Sequence, residues 1–192
     1  MARTKLFDED EVLDKAICLF LHKGYNGTSM QDLVDGLGIS RSSLYDTYVD
    51  KHTLYVKALE RYQSAGGSKI CNIVSDDTPA KEKISHLLKL FTGNLLNDAP
   101  QKGCLLVSAE LEMAPHDPLI NEMICKNEQL LEDAFLRAIQ KGQESGEIST
   151  KQDAKALTRF FLTTGKGLRV STQETDPAFF ENIIQTALLV LN

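Results

Sequence analysis

Apolar residues recur at helical spacing along nearly the whole chain. Leu13, Ala16, Ile17 and Phe20 fall at i, i+3, i+4 and i+7, which gives a first helix with one buried face. Asp8 to Glu11 stand at its start, where acidic side chains suit the positive end of the helix dipole, and Gly24 after Lys23 is a natural stop. Thr78 with Pro79 reads as the N-cap and first-turn proline of a later helix, which keeps Ile84, Leu87, Leu88, Phe91 and Leu95 on one face. Asp117 and Pro118 repeat the device and open a long helix that runs to Gly142 through Ile120, Met123, Ile124, Leu131, Ala134 and Phe135. A shorter helix from about Gly103 to Met113 lies between them and is stopped by Pro115. No strand-like alternation, internal repeat or low-complexity segment competes, so the expectation is an all-α chain.

Residues 153 to 172 and 177 to 191 are apolar on more than one face. Such helices must lie between two surfaces, and a terminal helix in a small protein can meet a second subunit. The expected homodimer interface is Leu157, Phe161, Leu168, Ile184, Leu188 and Leu191, with Gly165 and Gly167 admitting a close helix approach. The alternative is a broad helix buried wholly inside one subunit.

Residues 28 to 51 read TSMQDLVDGLGISRSSLYDTYVDK, one short amphipathic helix, a glycine turn and a second short helix with no residues to spare. That is the sequence form of a helix-turn-helix. Thr28 or Ser29 can cap the first helix, Leu33 and Leu37 pack inward, Gly38 takes the left-handed turn and Ser40 caps the second helix. With Leu44 facing the core, Arg41, Ser42, Ser43 and Tyr45 fall near the N-terminus and on the outward side, where a recognition helix meets base edges and phosphates. Arginine can bond a guanine edge bidentately, and serine hydroxyls can donate to bases or phosphates. Any one of these side chains alone would read as solvated surface; their order within a complete motif points to DNA.

The stretch GYNGTSMQDLVDGLGISRSSLYDTYVDKHTLYVKAL resembles the N-terminal signature of the TetR family of transcriptional regulators, a match running from about Val12 to Leu59. The resemblance implies base or phosphate contacts from Arg41, Ser42, Ser43 and Tyr45, and phosphate contacts from Thr28, Tyr48 and Lys51, with Thr47 a weaker addition. It implies about nine helices in two parts: a three-helix DNA-binding domain over 1–52, and a helical domain over 53–192 that binds a small molecule and dimerises. Asp46 departs from the family pattern. A carboxylate close to DNA phosphates is unfavourable unless it accepts from cytosine or pairs with a neighbouring cation, which places Asp46 at the edge of the interface. By the family plan, Phe91, Leu95, Cys104, Leu105, Met113, Met123 and Phe135 are pocket-lining residues, each of which also reads as plain core. The segment KGCLLVSAELEMAPHDPLI resembles a stretch found in one broad subgroup of these regulators and names no effector.

Charge restricts how DNA could be bound. The chain carries a formal net charge of −6, and its first 51 residues hold six Lys or Arg against nine Asp or Glu. Indiscriminate nucleic-acid binding is therefore disfavoured, and binding must come from local placement of charge. Cys18, Cys71, Cys104 and Cys125 are far apart, with no CxxC pair or histidine at ligand spacing, so they read as reduced and mostly buried thiols. Lys102 and a helix start could activate Cys104, but a buried small apolar residue is the simpler reading. His116 beside Asp117 fits capping chemistry. No signal-peptide pattern or membrane-length apolar run stands out, so the expected location is the cytoplasm.

The resulting expectation is a ligand-responsive regulator, repressing by default, that binds near-palindromic double-stranded operator DNA as a homodimer and is released by a small-molecule effector. Neither catalytic residues, a metal nor a cofactor is expected. The competing expectation is a small-molecule-binding protein of the same fold without DNA binding, motivated by the acidic N-terminal segment and Asp46. An enzyme would need a constellation that only folding reveals, because no Ser-His-Asp, paired-carboxylate, phosphate-loop or metal-ligand spacing stands out.

Overall fold

The computed structural model describes residues 7–96, 103–171 and 176–192, with the side chains of 93–96 outside the description. Among the described residues there are nine α-helices and no strand. They are α1 (Glu9–Gly27), α2 (Met30–Leu37), α3 (Arg41–Tyr48), α4 (Lys51–Ser75), α5 (Ala80–Leu96), α6 (Leu105–Glu112), α7 (Pro118–Glu144), α8 (Ala154–Val170) and α9 (Pro177–Leu188). A single 3-10 turn, Leu189–Leu191, follows α9.

Contacts divide the chain into two units. One holds the residues up to Ala65 together with Leu105–Ile124, and the other holds Gly66–Cys104 with Cys125–Asn192. This differs from a boundary at residue 52. Helix α6 and the start of α7 join the N-terminal helices, because polar contacts tie them there. The Glu112 carboxylate accepts from the backbone N–H of Asn26 at 3.1 Å, and His52 Nε2 lies 2.5 Å from an Asp117 carboxylate oxygen.

In the first unit, Asp8 caps α1 by accepting from the N–H groups of Asp10 and Glu11, and Val12, Ala16 and Phe20 are its buried stripe. Gly24 does interrupt α1, with φ 71° and ψ 173°, but one more turn follows it to Gly27. An aromatic cluster joins α1 to α4: Phe20 meets Tyr55 edge-on at 4.8 Å and Tyr25 meets Tyr55 at 4.9 Å. On the outer side, the Arg61 fork bonds Asp14 at 2.7 and 2.8 Å. That bond holds the Asp14 carboxyl below its usual range.

The second unit is organised around a stack of rings from three helices. Phe91 lies 6.4 Å from Phe135, and Phe135 lies 6.0 Å from Phe161, both pairs near parallel. Thr78 does not cap α5 as expected. Glu147 does so from the segment after α7, its two oxygens accepting from Ala80 N at 2.7 Å and Lys81 N at 2.8 Å. Asp117 does cap α7, accepting from Leu119 N at 3.0 Å and Ile120 N at 3.2 Å.

Two expectations about packing need correction. Cys18, Cys71 and Cys125 are exposed and only Cys104 is buried, since the first three stand at outward helix positions. Leu157, Phe161, Leu168, Ile184 and Leu191 are buried in the core of the chain itself, and Leu188 packs against that core. The stripe read as a dimer face is thus the inward face of α8 and α9. Gly165 belongs to the same core, for a Cβ there would stand 2.7 Å from the Phe91 ring, whereas a Cβ on Gly167 would meet open space.

Candidate nucleic-acid interface

Three short helices present the site. Ser29 caps α2 in a reciprocal capping box with Asp32, and Lys23 of α1 bonds the same carboxylate at 2.5 Å. The Lys23 bond, with those from Ser29, holds the Asp32 carboxyl far below its usual range. Leu33 and Leu37 are buried, and Gly38 then takes the left-handed conformation at φ 68°. Ser40 caps α3, its Oγ accepting from Ser43 N at 3.1 Å. The hydroxyls of Ser42 and Ser43 lie 2.9 and 2.8 Å from that Oγ, so three hydroxyls gather at the helix N-terminus.

Helix α3 is anchored by Leu44 and Tyr48, one turn apart and both fully buried. With that side fixed, Arg41, Ser42, Tyr45 and Asp46 are exposed, while Ser43 and Thr47 are half-buried at the flanks. The outward face therefore carries a guanidinium, hydroxyls and a phenol beside one carboxylate. Asp46 makes no ion pair among the described residues, and neither does Arg41. The acidic balance of the N-terminal segment lies elsewhere: Asp8 caps α1, Asp10 and Asp14 meet Arg61, Glu11 meets Lys15, and Asp32 meets Lys23.

Thr28, Tyr48 and Lys51, expected at phosphates, have internal roles. The Lys51 ammonium donates to the carbonyls of Tyr25 at 2.9 Å and Thr28 at 2.8 Å and sits 4.3 Å from the centre of the Tyr25 ring. Tyr25 O also accepts from the Thr28 N–H at 3.3 Å, and the lysine adds a charged donor to both carbonyls where α1 ends. Thr28 is buried and its hydroxyl donates to Gly24 O at 2.6 Å. The Tyr48 hydroxyl is buried with no hydrogen-bond partner among the described residues. Burial, followed by the nearby carboxylates of Glu9 and Asp10, pushes its phenol up to about 12. A phosphate would have to displace packed neighbours to reach the Thr28 and Tyr48 hydroxyls.

Val49 closes α3 at φ 65°, a left-handed value that is unfavourable for a β-branched residue. It is exposed, and the next residue, Asp50, opens toward α4 by accepting from Thr53 N at 2.7 Å. The strained residue thus lies at the junction where α3 must end sharply for α4 to begin at Lys51.

The residues expected to line one pocket are split between the two units. Phe91, Phe135 and Cys104 belong to one, and Leu105, Met113 and Met123 to the other. The Leu95 side chain lies outside the described residues. Phe91 and Phe135 fill core space with each other rather than lining a void. No helix among the described residues is long and apolar enough to cross a membrane.

Comparison with known proteins agrees with this arrangement. Residues 12–58 match the model for bacterial regulatory proteins of the tetR family, and residues 80–186 match a tetracyclin repressor-like C-terminal domain. The chain belongs to the TetR family of transcriptional regulators. One TetR-family relative, the uncharacterized HTH-type transcriptional regulator YezE of Bacillus subtilis, is 34% identical over 161 residues, covering 83% of each chain. The HTH-type transcriptional repressor ComR of Escherichia coli is 27% identical over 190 residues, covering 96% of this chain and 88% of its own. Among solved TetR-family structures, a cysteine mutant of CifR complexed with 26-bp double-strand operator DNA superposes with a TM-score of 0.86 at 23% identity, covering all of both chains.

Sequence reasoning missed the joint made by Lys51, Tyr25 and Thr28, and it missed the Glu112 contact with Asn26. Lys51 stands 26 residues from Tyr25, and Glu112 stands 86 from Asn26. One local signal did exist for the joint: the last carbonyls of any helix need donors from beyond it, and a lysine opening the helix after the motif is suited to supply one.

Proposed function

We propose that the chain is a transcriptional repressor that binds a near-palindromic operator as a homodimer and is released by a small-molecule effector. The observation that carries the reading is helix α3, held from behind by Leu44 and Tyr48 while Arg41, Ser42 and Tyr45 face outward. Ser43 and Thr47 flank that face. Arg41 is the side chain able to read a guanine edge, and the Ser40, Ser42 and Ser43 hydroxyls with the N-terminus of α3 are suited to a phosphate. The relatives support the choice of repression, for ComR is a repressor, and CifR was solved on operator DNA.

The homodimer uses the outer faces of α8 and α9. Phe160, Val170, Phe179 and Leu189 are exposed on these two elements and the turn after them, and a Cβ on Gly167 would meet open space. Two copies paired there would present two α3 helices to successive major grooves, roughly 34 to 36 Å apart. Sedimentation of a Phe160→Glu, Leu189→Glu double variant tests the face: a shift from dimer to monomer supports it, and an unchanged dimer refutes it. The effector acts by binding the non-DNA-binding shape more tightly, with a coupling typically about 1 to 3 kcal/mol.

The regulator reading is tested by fluorescence titration of the purified protein with the duplex just upstream of its own coding region, in the presence of nonspecific competitor. Saturable, competitor-resistant binding to a palindrome supports it. Asp46 on the reading face favours one other reading, a small-molecule-binding protein without DNA function. Absence of binding both to that duplex and to a random-sequence library would establish it.

A further inference from the structure

We propose that a small organic carboxylate binds in the cavity at the start of α5. The cavity measures about 390 Å³ and lies wholly within the second unit. That size falls in the range of small-molecule sites, roughly 300 to 1,000 Å³. Its walls are the end of α4, the entry and first turn of α5, the C-terminal part of α7 and the segment that carries Glu147.

Three cations line it, Lys83, Arg137 and Lys141, against one carboxylate, Glu147. That carboxylate is already engaged, since each oxygen accepts one N–H at the start of α5. Lys83 is buried at 8% exposure and donates to the carbonyls of Val74 and Asp76, which leaves one N–H of its ammonium without an acceptor among the described residues. Arg137 and Lys141 stand one turn apart on α7 and meet no carboxylate among the described residues. The Thr78 hydroxyl in the same wall is shielded from solvent with no hydrogen-bond partner among the described residues. Three cations around one cavity whose only carboxylate is already engaged leave a positive site, which favours an anionic ligand from outside the chain.

The chemistry of the lining selects the ligand. Arginine presents a planar fork that matches a carboxylate bidentately, and Val74 and Ala138 offer an apolar wall for a short carbon body. The site deepens the regulator reading, on which only its consequence for DNA rests. Binding itself is measured without DNA, so a failure of this site and a failure of the operator reading are distinguishable.

Isothermal titration calorimetry of the full chain with hexanoate and with benzoate tests the site. The expected result is saturable binding of at least one of them, with hexanamide, which lacks the charge, not bound. Arg137→Gln and Lys141→Gln should each weaken binding about tenfold, the loss of one charge-assisted contact, with partial recovery in Arg137→Lys. Both side chains are exposed and unpaired, so these variants should melt with the wild type. If one does not, the other decides in its place. No binding of either carboxylate at millimolar concentration, equal affinity in the variants, or equal binding of hexanamide would overturn the proposal.

Discussion

The two units solve the same packing problem with different materials. In the first, short helices are held by caps and by polar contacts that reach across the sequence: Lys51 on the carbonyls of Tyr25 and Thr28, Arg61 on Asp14, His52 on Asp117 and Glu112 on Asn26. In the second, the helices are held chiefly by ring stacking and a broad apolar core. Directional bonds fix the angle of a small helix well but tolerate little change. An apolar core is less directional and can leave a cavity. A reading helix needs the former, and a body that admits a ligand needs the latter.

The largest effect should come from the apolar side. Phe135→Ala removes a fully buried ring from the middle of the stack and should cost about 3 to 5 kcal/mol in urea unfolding. A loss below 1 kcal/mol would mean that the second unit is not organised around these rings. Next is Lys51→Met, which strips two charge-assisted bonds from the end of α1 and should cost about 2 kcal/mol in the absence of DNA. A variant of wild-type stability with weakened operator affinity would return Lys51 to the phosphate role implied by the family resemblance.

The sequence made the local half of this contrast legible. Leu33, Leu37 and Leu44 were placed inward, Gly38 in a left-handed turn, and Ser40 and Asp117 at caps, because each depends on neighbours within four residues. Arg41, Ser42 and Tyr45 followed as the outward face. Long-range polar partners were not legible, since nothing near Lys51 names Tyr25 and nothing near Ala80 names Glu147, 67 residues away. The faces of α8 and α9 were also misassigned. When a helix is apolar on two sides, periodicity supplies two stripes but not which one turns inward, and Gly165 marks the inward side through a tertiary neighbour, the Phe91 ring packed against it.

Smaller effects sharpen the comparison. Tyr48→Phe removes a buried hydroxyl that has no partner and should leave stability unchanged or raise it by up to about 1 kcal/mol, with operator affinity intact. A marked loss of affinity would show that the hydroxyl does reach a phosphate. Acid should distinguish the units as well. Asp14, Asp32 and Asp50 are held below the usual carboxyl range by Arg61, Lys23 and the Thr53 N–H respectively. At Asp117 burial opposes this, yet the bonds from His52 and from the N–H groups of Ile120 and Leu119 outweigh it.

A carboxyl with a lowered folded value stabilises the protein above its unfolded value, and that contribution disappears as pH falls through the folded one, because the unfolded chain takes up protons first. All four lie in the first unit, while Glu181, bonded by Gln185, is the corresponding group in the second. Below about pH 4, amide exchange should accelerate in α1 and α2 before it does in α8 and α9. The reverse order would contradict the stabilising role given to these four carboxylates.

The central claim is that the outward face of α3 reads DNA through Arg41. Selection from a random-sequence duplex library, carried out in parallel with wild-type protein and Arg41→Ala, tests it most directly. The wild type should enrich a palindrome of two half-sites, and the variant should enrich the same palindrome with one position in each half-site relaxed, a discrimination of about 1 to 3 kcal/mol lost there. An identical consensus from both proteins, or none from the wild type, would contradict the account.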